Sequence, residues 1–239
     1  MGFVKNYEQL NLSPQRKLVL DLVECALESI RPESVIEKQI SLAGDTLKIL
    51  DKKIKLDDFD RVFLLGFGKG SGGNCSIIEK ILADKLTAGY VIDVTEHEFS
   101  KVEFTLGTHP LPSQANIDFT KKVIAKFSKL SERDLVIIVT CGGGSVMLES
   151  PHALSLQKMI DVNRALLHSG ADIAEVNAVR KHLDIVKGGG FAEIVFPATV
   201  FNLIFSDVPG NDLSVIASGP TAMENNRARC FGGHKKISS

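Results

Sequence analysis

The run DLVIIVT (134–140) is almost continuously apolar and stops dead in Cys141, three glycines and Ser145. It is too short for a helix and does not alternate, which suits a strand covered on both faces. Four more short runs share the pattern: RVFLLG (61–66), GYVIDV (89–94), the weaker VEFTLG (102–107) and TVFNLIFSD (199–207). Stretches read as helices lie between them, at about 72–86, 114–130, 155–169 and 172–185. Strands alternating with helices predict an α/β fold: an open, mostly parallel sheet with helices on both faces.

The segment before the first of these runs reads differently. Ser13-Pro14 forms an N-cap and N1 pair that opens a helix through about Ile30, with Leu18, Leu22, Cys25, Ala26 and Ser29 near one face. Pro32 is expected to end it. ISLAGDTLKIL then reads as a small N-terminal hairpin turning at Gly44-Asp45, apart from the main sheet. The stretch from Ala222 to Ser239 has no helical or strand period and reads as an irregular, disordered tail, with a short basic interaction arm as the sharper alternative.

Composition excludes more than it selects. A formal net charge of −1 over 239 residues gives no sign of nucleic acid or an anionic membrane as partner. No apolar run approaches the roughly 20 residues that cross a bilayer. The N-terminus lacks the apolar core of a signal peptide. Cys25, Cys75, Cys141 and Cys230 form no CxxC pair, so neither a zinc site nor a disulfide framework is expected, and the cytoplasm is the default compartment.

Eleven of the 20 glycines fall in three clusters, at 66–73, 142–144 and 188–190. Two clusters directly follow expected strands. A strand, glycines and a helix start present free amides and a positive dipole end, which is an anion site. In GFGKGSGGN (66–74), Gly66 and Gly68 are expected to help bind a nucleotide. The loop is not a Walker A motif, because Phe63 and Gly70 stand where a glycine and a Ser or Thr are needed. Gly68-x-Gly70-x-x-Gly73 does match the dinucleotide fingerprint, with Asp93 about where a ribose-binding acid sits. A nicotinamide-dependent dehydrogenase is therefore one alternative.

Lys69 can place positive charge on a transferring phosphoryl group or a carboxylate, or be a surface lysine on a tight turn. Gly142, Gly143, Gly144 and Ser145 form the second expected anion loop, with Ser145 binding phosphate or only capping a helix. Cys141 reads as a buried small residue. Asp207, just past the last strand, can bind Mg²⁺, accept a hydroxyl proton or form a turn. Asn177 and Arg180 share a helix face, and Arg180 suits a carboxylate or phosphate. His109 and His182 read as structural.

The pieces LLGFGKG, GTHPLPSQA, VTCGGGSVMLESP, LLHSGADIAEVNAVRKHLDIVKGG and SDVPGNDLSVIASGPT together resemble the class II glycerate 2-kinases, in the family's order, over about residues 15–221. The resemblance is to the N-terminal domain associated with the MOFRL module. It implies a Rossmann-like domain over 1–221 and a second domain closing the active site. It implies transfer of the γ-phosphoryl of ATP, with Mg²⁺, to the 2-hydroxyl of D-glycerate. Lys69 and Asp207 would then be catalytic, Asp207 also the metal ligand, Gly142 to Ser145 the phosphate loop, and Asn177 and Arg180 part of the substrate cleft. The family usually has Ser where Cys141 and Asp184 stand, and Asp184 is expected to add negative charge near phosphate. The pattern stops after ASGPT, so this chain is expected to be a truncated or partial enzyme. Its missing C-terminal domain, a partner chain supplying it, or a homo-oligomer would complete the site. A non-catalytic nucleotide- or phosphate-binding module is the remaining alternative.

Overall fold

A computed structural model describes residues 2–222. The expected tail from 223 onward lies outside the described residues, and so does Cys230. The described chain forms two units, one ending at Lys55 and one beginning at Leu56.

The first unit opens with a single turn, α1 (Tyr7–Leu10), and then α2 (Pro14–Ser29). The Ser13 hydroxyl caps α2 by accepting from the Arg16 amide at 3.3 Å. Pro32 does not merely stop that helix. It takes the first position of a further helix, α3 (Pro32–Gln39), where a missing N–H costs nothing. The expected hairpin is present as β1 (Ile40–Ala43) and β2 (Thr46–Ile49), with Ala43 opposite Thr46 across the Gly44-Asp45 turn. A third antiparallel strand, β3 (Lys52–Lys55), extends it to a meander whose inward residues include Leu47, Ile49 and Ile54. The apolar face of α2 is not core: Leu18 and Leu22 are 62% and 61% exposed.

In the second unit, β4 (Arg61–Phe67) leads to α4 (Ser71–Leu82) and β5 (Ala88–Asp93). Then come β6 (Val102–Leu106), α5 (Gln114–Phe127), β7 (Asp134–Thr140), the turn α6 (Gly144–Met147), α7 (Leu156–His168), α8 (Ile173–Leu183), α9 (Gly190–Val195) and β8 (Thr199–Ile204). All five strands are parallel, in the order β6-β5-β4-β7-β8. Every residue of β7 is buried, as its unbroken apolar run requires. Phe63, Leu65 and Phe67 pack with Phe119, Val123, Phe127 and Phe191 on one face. On the other, α4 comes so close that a β-carbon on Gly66 would collide with Cys75 Sγ. Helices thus cover both faces.

At the amino ends of the central strands, Asp134 accepts two 2.7 Å bonds from the Arg61 guanidinium. Burial pushes the Asp134 carboxyl up, but Arg61 and Ser131 outweigh it and hold the group below the usual carboxylate range. The opposite edge of the sheet carries the glycine loops.

Candidate functional site

From β4 the chain steps outward to β5 and β6, then returns to place β7 and β8 on the other side. The crevice at such a reversal, outside the carboxyl ends of the strands, is where ligands bind in open α/β sheets. The two glycine loops meet there. The Cys141 amide donates to the Phe67 carbonyl at 3.0 Å, and the Lys69 amide donates to the Gly142 carbonyl at 2.8 Å. Gly68, with φ +105°, allows this approach, because a β-carbon there would strike the Cys141 carbonyl.

The first loop does not offer its amides. The buried Asp93 carboxylate accepts from the Gly70 amide at 2.9 Å, the Gly72 amide at 2.8 Å and the Val94 amide at 2.6 Å. It is 1% exposed. The acid that matched a ribose-binding position therefore binds the amides at the start of α4 instead. His97 closes the loop further: a β-carbon on Gly72 would overlap its ring.

The second loop is open. Among the described residues, the amides of Gly142, Gly143 and Ser145 donate to no backbone carbonyl. Gly143 and Gly144 are held to glycine by close neighbours, whereas at Gly142 a side chain would make only ordinary contact. A β-carbon on Gly142 would lie 3.5 Å from Asp207 Oδ2. One on Gly143, where φ is +81°, would lie 2.8 Å from His109 Cδ2 and 3.4 Å from Lys69 Cε. One on Gly144 would press on Phe67 and Ala217, at 2.9 and 3.0 Å. Lys69 and Asp207 thus converge on one loop from two different strand ends. A cavity of about 140 Å³ opens here, lined by Gly142, Gly143, Ser145, Asn177, Asp207 and Ala217 among others. Asp207 follows β8 rather than ending it, since that strand stops at Ile204 and not at 207.

His109, expected to be structural, belongs to this cluster. Asn116 holds its loop in place. The Asn116 Oδ1 accepts from the Thr108 amide at 3.0 Å, and its Nδ2 donates to the carbonyls of Thr108 and Val146 at 3.0 and 3.1 Å. Burial, with Lys69 and Arg180 nearby, holds the His109 ring below the ordinary histidine range. The signal in the sequence was the position of GTHP at the end of a strand, on the ligand edge.

Arg180 donates from Nη2 to Asn163 Oδ1 at 3.1 Å, while its buried Nε has no hydrogen-bond partner among the described residues. Burial lowers its pKa against the pull of Glu149. Asn163 also donates to Glu149 Oε1 at 3.4 Å, and Glu149 sits 3.8 Å from the buried Lys187 Nζ. Lys187 in turn donates to Asp184 Oδ2 at 2.6 Å. Asp184 is fully buried and also accepts from the Ser150 and Val186 amides, so its charge is spent on Lys187 and the backbone rather than added to a phosphate site.

Asn177 lines the cavity, yet its amide is engaged at both ends, donating to the Val215 carbonyl at 3.2 Å and accepting from Ser218 Oγ at 2.7 Å. Cys141 is buried and burial pushes its thiol up to about 12, which suits the small-residue reading rather than a nucleophile. Of the expected nucleotide-binding residues, Gly142, Gly143 and Ser145 face the cavity. Gly66 lies inside β4 beneath α4, and Gly68 serves the contact between loops.

The chain matches, over residues 18–232, the family described as "Domain of unknown function (DUF4147)". This chain belongs to that family. The DUF4147 domain is shared with proteins that carry a kinase name. A D-glycerate 2-kinase of Thermotoga maritima is 36% identical over 209 residues, covering 86% of this chain and 47% of the relative. A glycerate 2-kinase of Picrophilus torridus is 32% identical, covering 91% and 51%. The crystal structure of glycerate kinase from Thermotoga maritima superposes with a TM-score of 0.74 at 34% identity, over 87% of this chain and 48% of that one. This DUF4147 chain spans about half the length of the curated relatives it matches.

Proposed function

We propose that this DUF4147 chain carries the phosphate-binding half of a kinase site that transfers the γ-phosphoryl of ATP to the 2-hydroxyl of D-glycerate. The observation behind this reading is the convergence of Lys69 and Asp207 on the open Gly142–Gly143 loop. The names of the Thermotoga maritima and Picrophilus torridus relatives agree with it. Phosphoryl transfer asks a protein mainly for positioning and charge stabilisation. The free amides of Gly142, Gly143 and Ser145 would cradle the phosphates, and Lys69 would offset the charge that builds on the transferring group. The His109 ring approaches Gly143, and Arg180 lies near His109 without lining the cavity. Arg180 would hold the acceptor's carboxylate, and Asn177 would shape the wall behind it.

Asp207 would take the proton of the attacking hydroxyl. It is also the residue that would hold Mg²⁺. Among the described residues there is no group of three His, Cys, Asp or Glu side chains placed to cage a metal. One carboxylate suits Mg²⁺ arriving with ATP, because that ion keeps waters and phosphate oxygens as most of its ligands. When bound, it would neutralise phosphate charge.

The glycine fingerprint that suggested a dehydrogenase is occupied from within, since Asp93 binds the Gly70 and Gly72 amides. No helix among the described residues is long and apolar enough to cross a membrane. We place the protein in the cytoplasm, where ATP is available and the free thiols of Cys25, Cys75 and Cys141 stay reduced. The test is a coupled assay of ADP release with ATP, Mg²⁺ and D-glycerate, run on this chain alone and with the remaining half of the Thermotoga maritima relative supplied in trans. Lys69→Ala should cut kcat by about 100-fold or more. Absence of turnover in both arrangements would overturn the kinase reading.

A further inference from the structure

We propose that His109 is a phosphate-binding residue that is neutral in the free chain and becomes an imidazolium when phosphate occupies the Gly142–Ser145 loop. This rests on the phosphate-loop reading and adds to it a residue and a proton.

The His109 ring is held against the loop. A β-carbon on Gly143 would come within 2.8 Å of its Cδ2 and 3.1 Å of its Nε2. Asn116, fully buried on α5, ties the His109 segment to the turn that follows the glycines. It bonds to the Thr108 backbone through both ends of its amide and donates to the Val146 carbonyl at 3.1 Å. His109 stays exposed to solvent, which can supply a proton.

Three groups that carry or can carry positive charge gather here. Lys69 comes from the carboxyl end of β4, with Cε 3.4 Å from the same β-carbon on Gly143. Arg180 comes from α8. Among the described residues neither Lys69 nor Arg180 forms an ion pair. Arg180 has one neutral partner, Asn163, and a buried Nε with none. Glu149 reaches Arg180 only through Asn163 and sits 3.8 Å from Lys187 Nζ. Asp207 meets Gly142, one residue before the His109 contact, and pairs with none of the three.

The cluster is therefore positive charge without a counter-ion. Partial burial, then Lys69 and Arg180, already hold the ring below the ordinary histidine range, because a third cation would meet two others. An anion reverses that balance. Phosphate at the free amides of Gly142, Gly143 and Ser145 sets negative charge against Lys69 and Arg180. It also offers a protonated ring charge-assisted acceptors. One proton passes from solvent to the free ring nitrogen, and no covalent bond among the heavy atoms changes.

The experiment follows the His109 ring by NMR across pH in the full chain, free and with saturating Mg²⁺-ATP, with ATP affinity read by calorimetry. The ring should titrate at least about one pH unit higher in the complex, and affinity should rise at least about threefold from pH 8 to pH 6. Calorimetry in two buffers of different ionisation enthalpy should show proton uptake on binding. His109→Gln should remove the uptake and flatten the rise. A merely structural ring would cost His109→Gln the same affinity at both pH values, and that result overturns the inference. So does a ring whose titration is unmoved or lowered while the Gly142, Gly143 and Ser145 amides respond to ATP, and the phosphate-loop reading then stands. If those amides do not respond, that reading fails and the inference fails with it.

Discussion

Gly70 and Gly143 offer a matched pair of perturbations. Each is the residue before a helix at a strand end, with φ +87° and ψ −1° at Gly70 and φ +81° and ψ 0° at Gly143. Alanine at either position carries the same backbone cost, about 1–2 kcal/mol for holding an L-residue in the left-handed region. The surroundings differ. A β-carbon on Gly70 meets nothing within 4 Å, whereas one on Gly143 would lie 2.8 and 3.1 Å from the His109 ring and 3.4 Å from Lys69 Cε. Gly70→Ala should therefore lower unfolding stability by about 1–2 kcal/mol in urea titrations and leave ATP affinity within about threefold of wild type. Gly143→Ala should lose at least as much stability and, in addition, push the His109 ring away from the loop. Its ATP affinity, read by calorimetry, should fall by at least about tenfold, or 1.4 kcal/mol. Equal affinity losses in the two variants, or a larger loss at Gly70, would refute the assignment of phosphate to the second loop.

Other outcomes follow from the same geometry. Lys187→Met leaves Asp184 and Glu149 buried without their cation, and should cost about 3–5 kcal/mol in urea unfolding. The His109 ring, followed by NMR, should titrate below its ordinary value near 6.5, and Lys69→Met should move it upward. Because its folded pKa lies below the unfolded one, the unfolded chain takes up the proton first. The stability linked to the neutral ring is thus present above about pH 6.5 and is lost as pH falls through the folded value. Asp93→Ala should unfasten the Gly70 and Gly72 amides and lower stability by about 1.5–3 kcal/mol, without creating NADH binding in a fluorescence titration.

The sheet was legible because β4, β5 and β7 announce burial on both faces by refusing to alternate. The edge on which Lys69, the second glycine loop and Asp207 meet followed from parallel strands alone. Four features were not legible. Pro32 reads equally as a helix stop or a helix start, and only the chain direction after it decides. The third meander strand, KKIK, has one buried apolar residue, Ile54, too little for a pattern. Asp93 has the spacing of a ribose ligand and also of a cap for the loop 21–23 residues before it, and sequence distance does not say which amides it will reach. His109 was missed because its approach to Gly143 depends on Asn116 gripping the loop from α5, a contact with no sequence period.

The central claim is that phosphate goes to Gly142–Ser145 and not to the loop before α4. Amide NMR spectra of the ¹⁵N-labelled chain, titrated with Mg²⁺-ATP, test it most directly. The account predicts large shifts at Gly142, Gly143 and Ser145 with Gly70 and Gly72 unmoved beneath Asp93. Shifts concentrated at Gly70 and Gly72, with the Gly142–Ser145 loop silent, would contradict it.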